Sequence, residues 1–247
     1  MSKVLCIVQA RMGSTRLPGK VLKIVEGKSL LEHLIDRLKY AKRINKIVIA
    51  TTVNRKDDAI VDLCKRIKID WFRGSEEDVL DRYYQCARKY KAKIIIRVTS
   101  DCPVIDPEII DKMIDCYFKN KDEVDYLSNV IPVRTYPLGL DVEIFSFSSL
   151  KRAWKEAKKQ PDREHVTPYI YMHPKNFKIY NFKDRKNYSK YRWTVDTQED
   201  LNLIKEIYSH LYKPDRIFLY RDILKLFEEN PTLANINKNV KQKEYGE

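Results

Sequence analysis

The chain has 247 residues, of which 43% are hydrophobic, so it can form a sizeable core and is not disordered throughout. It carries 48 lysines and arginines against 35 aspartates and glutamates, a formal net charge of +13, which favours nucleic acid, a membrane surface or a phosphorylated small molecule as partner. Its apolar runs are much shorter than the roughly 18 residues of a membrane-spanning helix, and its first residues do not resemble a signal peptide.

Apolar residues in the first half of the chain alternate between the spacing of a buried strand and that of an amphipathic helix. This pattern predicts strands at Val4–Val8, Lys46–Thr52, Ile69–Phe72 and Ile94–Val98. It predicts helices near residues 30–41, 59–67, 79–90 and 106–117. Repeated strand–helix units predict an α/β fold with a parallel sheet covered on both faces, in which ligands bind beyond the carboxyl ends of the strands.

The second half is less regular. Its patterns predict strands at residues 138–145, 177–182 and 191–195, and helices at residues 149–159, 162–171, 201–211 and 220–228. Because no Gly/Ser-rich linker or internal repeat interrupts the chain, we expect one domain over residues 1–247. Residues of about 130–190 are predicted to form a small lid or dimerisation arm, and residues 235–247 a flexible polar tail.

The cysteines and histidines give no metal-binding pattern. The five cysteines, at positions 6, 64, 86, 102 and 116, contain no C-x-x-C pair, and the four histidines lack the spacing of zinc ligands. An odd, scattered set of cysteines predicts reduced thiols and a cytoplasmic protein.

A basic, glycine-containing loop, Gln9–Lys20, follows the first predicted strand. It holds Gly13, Ser14, Arg11, Arg16 and Lys20. Glycines let backbone N–H groups approach phosphate oxygens, and the cations neutralise their charge. The spacing is neither that of a Walker A loop nor that of a dinucleotide-binding G-x-G-x-x-G motif. The loop therefore predicts a different kind of phosphate site, the alternative being a solvated surface loop.

Two aspartates are candidate metal ligands. Asp101 follows the fourth predicted strand, where a carboxylate can hold Mg²⁺ against nucleotide phosphates; the alternative is that it shapes a turn before Pro103. Asp196 precedes a predicted helix, and an acid three or four residues further on is also typical of a helix N-cap.

Six blocks of sequence, in the same order, resemble the CMP-sugar synthetases, which include the acylneuraminate and 3-deoxy-manno-octulosonate cytidylyltransferases. The match is closest to their SpsF-like branch of spore-coat polysaccharide biosynthesis and extends over roughly residues 3–211. The blocks are Gln9–Lys20 with 26–33, Arg73–Arg82, Arg97–Pro103, Tyr136–Glu143, Arg163–Thr167 and Arg192–Leu201. This resemblance implies a three-layer nucleotide-diphospho-sugar transferase fold, CTP as donor, Mg²⁺ as cofactor, and a homodimer.

The resemblance also implies roles for individual residues. Lys20, Arg11 and Asp101 are the implied catalytic residues, and Asp101 and Asp196 the implied metal ligands. The implied nucleotide-binding residues are Ala10, Arg11, Gly13, Ser14, Arg16, Lys20, Arg73, Gly74, Ser75 and Ser100. Ser75 and Asp78 also have the spacing of a capping box, so this block has a purely structural alternative.

Four residues are candidates for the acceptor side: Asp141, Glu143, Arg163 and His165. Arg163 can grip a sugar carboxylate by a bidentate pair. Asp141 and Glu143 are two residues apart on a predicted strand and so share a face, the alternative being an exposed polar strand. His165 can act as a base or simply pack.

These observations predict a cytidylyltransferase that transfers CMP from CTP to a small acidic sugar and releases pyrophosphate. A phosphonate or sugar phosphate is the alternative acceptor, with basic residues of 174–194 as its anion contacts. The sequence also leaves open which pyrimidine nucleotide is the donor. A basic nucleic-acid-binding protein is the alternative from another class, although no nucleic-acid-binding module is recognisable. Neither nucleic acid nor a membrane is expected as partner.

Overall fold

The computed structural model describes residues 3–242. Its strands are β1 (Val4–Gln9), β2 (Ile24–Val25), β3 (Lys28–Ser29), β4 (Lys46–Thr52), β5 (Asp70–Gly74), β6 (Ile94–Thr99), β7 (Tyr126–Ser128), β8 (Glu143–Ser146) and β9 (Ile179–Asn181). Its α-helices are α1 (Leu30–Lys39), α2 (Asp58–Arg66), α3 (Val79–Lys89), α4 (Pro107–Lys119), α5 (Phe147–Glu156), α6 (Gln160–His165), α7 (Pro168–Tyr171), α8 (Gln198–Leu211) and α9 (Tyr220–Glu229).

One mixed, mostly parallel sheet organises the described residues, with the strand order β5-β4-β1-β6-β8-β7-β9. Strand β1 lies at its centre and pairs in parallel with β4 and β6. The α/β class and the four strands predicted in the first half are confirmed. Because β1, β4 and β6 are parallel, the loops that follow them lie at the same edge of the sheet.

Helices cover both faces, which explains the run of apolar residues in β1. Cys6 and Val8 face a core with α1, α2, α4, α8 and α9. Leu5 and Ile7 face a second core with α3, α5 and α7. Within residues 3–242, no helix has both the length and the hydropathy needed to span a membrane.

The second half of the sheet differs from the predicted pattern. Strand β8 is antiparallel to both β6 and β7, and the strand predicted at 138–145 is regular only from Glu143. Residues 191–195 were predicted as a strand but make only an isolated bridge between Leu138 and Arg192. The helix predicted at 162–171 is divided into α6 and α7 at Val166, which has φ 74°.

Two predicted segments stay predictions. Within the predicted lid or dimerisation arm at about 130–190, residues 143–181 supply β8, β9 and three helices. The tail predicted to be flexible from 235 contains Asn237, which is only 5% exposed. Residues 243–247 of that tail lie outside the described residues.

Candidate functional site

Three segments meet beyond the carboxyl ends of β1 and β6: the loop 9–20, the turn at Asp101, and residues 193–196. The Asp101 carbonyl accepts hydrogen bonds from the Val195 backbone N–H at 2.9 Å and the Thr194 hydroxyl at 3.0 Å. These bonds place Asp196 beside Asp101, although the two are 95 residues apart in sequence. The edge predicted from the strand pattern is therefore where charged side chains converge.

Gly139 allows this convergence. Its φ is +107°, and a Cβ there would lie 2.5 Å from the Trp193 carbonyl carbon and 2.6 Å from the Thr194 nitrogen. The Trp193 backbone N–H donates to the Leu138 carbonyl at 2.6 Å. Only a residue without a side chain permits so close a crossing of two backbones. The crossing holds the segment that carries Asp196 against the segment that carries Asp141.

The ammonium of Lys20 lies between the two candidate metal ligands. It donates to Asp196 Oδ1 at 2.8 Å and to the Val195 carbonyl at 2.7 Å, and it lies 3.4 Å from Asp101 Oδ2. Burial lowers the pKa of Lys20, but the attraction of Asp101 and Asp196 outweighs burial and the net shift is upward. Lys20 therefore stays cationic and neutralises part of the carboxylate charge.

Two arginines hold the other oxygen of Asp196. Arg16 Nη2 lies 3.0 Å from Asp196 Oδ2, and Arg192 Nη2 lies 2.8 Å from the same atom. Burial raises the pKa of Asp196, but Lys20, Arg16 and Arg192 together bring it below the usual value. The helix-capping alternative for Asp196 does not apply, because Thr197 is the N-cap of α8 and Asp200 completes its capping box.

Asp101 and Asp196 can hold a hard divalent cation. Mg²⁺ commonly uses one or two carboxylates and takes its remaining ligands from phosphates and water. Within residues 3–242, no group of three or more His, Cys, Asp and Glu side chains could enclose a metal ion. The donors therefore fit a cation that shares its coordination with a bound nucleotide, and Lys20 would have to give up part of its contact with the carboxylates.

Asp57 supports the loop 9–20, which the sequence analysis did not predict. Its side chain, 2% exposed, accepts from the Met12 backbone N–H at 2.7 Å and from the Thr52 hydroxyl at 2.5 Å. It thereby ties the loop after β1 to the end of β4. Its position in an Asp-Asp pair at the start of α2 resembles an ordinary helix start, which is why the sequence did not distinguish it.

The remaining residues of the loop 9–20 are placed differently. Ala10 is buried and donates to the Ala50 carbonyl at 3.2 Å, whereas Gly13 is exposed. Ser14 Oγ accepts from the Leu17 N–H at 3.4 Å. The Arg11 guanidinium is exposed, 3.9 Å from Glu76.

At the same sheet edge, the buried Gln9 Oε1 has no hydrogen-bond partner among the described residues, which is typical of an atom that meets a ligand or water.

The block at 73–75 has structural contacts. Arg73 donates to the carbonyls of Thr52 and Asn54 at 2.7 and 2.8 Å. Ser75 Oγ accepts from the Asp78 N–H at 3.0 Å, and Asp78 caps α3. A Cβ at Gly74 would lie 2.9 Å from the Arg82 side chain. The structure thus accounts for this block by local contacts, and a nucleoside contact stays a prediction, as it does for the buried Ser100.

Glu143, predicted to contact the acceptor, is the centre of a buried network. It forms an ion pair with Arg97 and accepts from the Tyr126 hydroxyl at 2.5 Å and the Thr167 hydroxyl at 2.6 Å. Burial lowers the pKa of Arg97, but Glu143 outweighs that effect and raises it. These partners make Glu143 a structural residue of the sheet rather than a free acceptor ligand.

The other three acceptor candidates are Arg163, Asp141 and His165, and each has contacts of its own within the chain. Arg163 donates to both oxygens of Asp78, at 2.5 to 3.1 Å, and to the Trp154 carbonyl, so its guanidinium already grips a carboxylate of the chain itself. Asp141 forms a bidentate pair with Arg134, at 2.5 and 2.9 Å. Burial lowers the pKa of His165, which also feels Glu164, Arg97 and Glu143. Asp141 and Arg163 are thus each paired within the chain, and an acceptor contact stays a prediction for both of them and for His165.

Comparisons with known proteins identify the family of the chain. The sequence model of a family described as cytidylyltransferase matches residues 5–238. The chain is 36% identical to the spore coat polysaccharide biosynthesis protein SpsF of Bacillus subtilis, over 95% of the chain and 98% of that protein. It is 41% identical to the uncharacterized protein MJ1063 of Methanocaldococcus jannaschii, over 99% of the chain and 98% of that protein.

The fold has a solved counterpart. The structure of a cytidylyltransferase from Leptospira borgpetersenii has a TM-score of 0.91 and 34% identity, and the match covers 99% of the chain and all of that structure. The resemblance stated from the six sequence blocks is therefore confirmed, and with it the nucleotidyltransferase fold. The chain belongs to the cytidylyltransferase family and is a CTP-dependent nucleotidyltransferase.

Proposed function

We propose that the protein transfers CMP from CTP to an acidic sugar of the ulosonate or nonulosonate type, with Mg²⁺ and release of pyrophosphate, for the synthesis of a surface polysaccharide or glycan. The observation that carries the proposal is the cluster of Lys20, Asp101 and Asp196 beyond the carboxyl ends of β1 and β6. The similarity to SpsF over nearly the whole chain supports the polysaccharide context.

The cationic groups of the cluster suit a triphosphate. Arg11, Arg16 and Lys20 all belong to the loop after β1, and Arg11 is exposed at its surface. An acceptor hydroxyl attacks the α-phosphorus in line, a new P–O bond forms, and the bond to the β-phosphate breaks. Negative charge then moves onto the leaving pyrophosphate, where these three cations stabilise it.

The two carboxylates would hold the metal ion. When bound, Mg²⁺ would neutralise phosphate charge and orient the triphosphate. Asp101 is fixed through its carbonyl by Thr194 and Val195, and Asp196 is fixed by Arg192. The backbone of Asp101 and the carboxylate of Asp196 are thus held in position before any ligand arrives, which lowers the cost of organising the site.

The acceptor is proposed to bind near Asp141 and His165. Burial is the main cause that raises the pKa of the Cys102 thiol, followed by the charge of Asp101 and then that of Asp141. The charges of Asp141 and of the candidate metal ligand Asp101 thus act on the same thiol. Arg134, paired with Asp141, supplies a cation that an anionic sugar can approach. We further propose that the protein acts as a homodimer.

Thermal melting tests the donor. The purified protein is melted with Mg²⁺ and each of CTP, UTP, ATP and GTP, because a ligand of the native state raises its stability. We expect an increase in Tm with CTP alone. The absence of a shift with any nucleotide, together with salt-dependent binding to generic DNA, would contradict the proposal and support a nucleic-acid-binding protein.

Pyrophosphate release then tests the acceptor, with ulosonates, nonulosonates, sugar phosphates and phosphonates compared at one CTP concentration. We expect release with an acidic sugar. If pyrophosphate is released only with a sugar phosphate or a phosphonate, the assignment as a nucleotidyltransferase stands, but the proposed acidic-sugar acceptor is wrong.

A further inference from the structure

The C-terminal segment 236–242 lies against the arginines that hold Asp196. Asn237 is 5% exposed, and its Nδ2 donates to the Arg192 carbonyl at 3.0 Å and to Asp200 Oδ1 at 2.8 Å. Nδ2 of an asparagine has two hydrogens, so both are used in these contacts. A side chain from the end of the chain is thus built into the support of the candidate site.

Asp200 connects Asn237 with Asp196 by two routes. Asp200 is 0% exposed and accepts from Arg192 Nε at 2.8 Å and Nη2 at 2.9 Å; Arg192 Nη2 in turn donates to Asp196 Oδ2 at 2.8 Å. Asp200 Oδ2 also accepts from the Asp196 backbone N–H at 2.9 Å. The position of Asp200 therefore affects both the backbone and the carboxylate of Asp196.

The same segment contacts both arginines directly. Arg192 Nη1 donates to Gln242 Oε1 at 2.6 Å, and Arg16 Nη1 donates to the Lys241 carbonyl at 3.2 Å. Arg16 uses its other terminal nitrogen on Asp196. Each arginine thus joins the C-terminal segment to the same carboxylate oxygen.

We propose that segment 236–242 is a functional part of the nucleotide and metal site, and that Asn237 is a positioning residue for Asp196. Removing its side-chain amide takes away one hydrogen bond to the buried Asp200 and one to the Arg192 carbonyl. Arg192 and Asp196 then lose their fixed orientation. Outer partners of a metal ligand typically affect metal affinity or activity by about 10- to 100-fold. The inference rests on the proposed function.

The test uses two variants of the full chain, Asn237→Ala and Asn237→Asp. The first removes the donor; the second has nearly the same shape but places a carboxylate against Asp200. For each we measure Tm, the calorimetric Kd for CTP at several Mg²⁺ concentrations, and kcat and KM from pyrophosphate release. We expect a loss of Mg²⁺-dependent CTP affinity or kcat/KM of about 10-fold for Asn237→Ala, and a larger loss for Asn237→Asp.

Asn230→Ala is the matched control. Asn230 also donates from Nδ2 to a backbone carbonyl, that of Leu226 at 3.2 Å, and lies seven residues earlier at the end of α9. This bond lies at the C-terminal end of α9, and Asn230 is exposed. We expect this variant to change Tm only, with CTP affinity and its Mg²⁺ dependence as in the unaltered protein.

The outcomes separate a positioning role from a structural one. If both Asn237 variants keep Kd and kcat/KM within about twofold at temperatures well below Tm, whether or not Tm falls, Asn237 does not position Asp196 and the inference is overturned. If the unaltered protein binds no CTP, the proposed function itself fails, and the inference falls with it.

Discussion

The carboxylate of Asp57, at the start of α2, accepts a 2.7 Å hydrogen bond from the backbone N–H of Met12 in the loop 9–20. A buried acid on a neighbouring strand connection therefore helps to hold the loop, in addition to the Gly19 backbone N–H, which donates to the Met12 carbonyl at 3.1 Å. Since Asp57 also accepts from Thr52, it fixes the loop relative to β4. A loop held in this way presents its cations in one arrangement before the nucleotide binds.

Asp57→Asn is expected to weaken CTP binding without removing any cation of the site. An amide presents one acceptor oxygen in place of two, so either Met12 or Thr52 loses its partner. A buried group without its partner costs about 1–3 kcal/mol of folding stability, which chemical denaturation measures, while calorimetric titration measures the Kd for CTP. Asp62→Asn is the control, because Asp62 is exposed and pairs only with Lys65 in the described residues; equal effects of the two substitutions would contradict a role for Asp57 in holding the loop.

Lys20→Met is expected to lower kcat by about 100- to 1000-fold, the usual loss when one donor to developing negative charge is removed. Lys20→Arg should retain part of the activity, because the charge remains while the geometry changes. Initial rates of pyrophosphate release at saturating CTP measure both. A Lys20→Met enzyme with normal kcat would show that the ammonium between Asp101 and Asp196 plays no part in the reaction.

Asp101→Asn is expected to remove Mg²⁺-dependent turnover while leaving the fold intact. The Asp101 side chain is about one quarter exposed, and its backbone carbonyl, which holds Thr194 and Val195, is unchanged by the substitution. Titrating Mg²⁺ in the turnover assay checks this, with Asp115→Asn on the surface of α4 as control. Near-normal Mg²⁺-dependent rates would mean that Asp101 is not a metal ligand.

Glu143→Gln is expected to destabilise the protein by about 3–5 kcal/mol, because it leaves the buried Arg97 guanidinium without its counter-charge. Arg97 Nε already lacks a hydrogen-bond partner among the described residues. Denaturation midpoints compared with those of the exposed control Glu156→Gln check the effect. Unchanged stability together with altered acceptor KM would restore the acceptor-contact role that the sequence predicted.

The free energy of unfolding is expected to depend on pH through His33. Burial lowers the pKa of His33 below its ordinary value of 6.5, and its Nε2 lies 2.7 Å from the Val25 carbonyl. The unfolded chain therefore binds a proton at a higher pH than the folded chain does. The contribution of neutral His33 to the free energy of unfolding is complete above pH 6.5 and is lost as the pH falls below that value. His33→Gln should flatten that decline, whereas His210→Gln on the surface should not; parallel profiles would refute the assignment to His33.

Periodicity predicted the first half of the fold well because its strands are buried on both faces and its helices are amphipathic. The second half depends on tertiary contacts. Strand β7 has only three residues, too few for a periodic signal, and Trp193 is buried by crossing Gly139 rather than by joining the sheet. Arg163 was predicted to grip a carboxylate, which it does, but the carboxylate is Asp78. Sequence shows a residue's chemistry, whereas only the fold shows which partner is within reach.

The backbone crossing at Gly139 also restricts how such a protein can diversify. A side chain at 139 would push the segment 193–196 away, and with it the Asp196 carboxylate, so a mutation beside the proposed acceptor residue Asp141 would also disturb the proposed metal ligand. If the proposed site is correct, new acceptor preferences arise from residues on either side of the crossing, such as those around Asp141, while position 139 stays a glycine. A library that seeks a new sugar specificity should leave this one residue untouched.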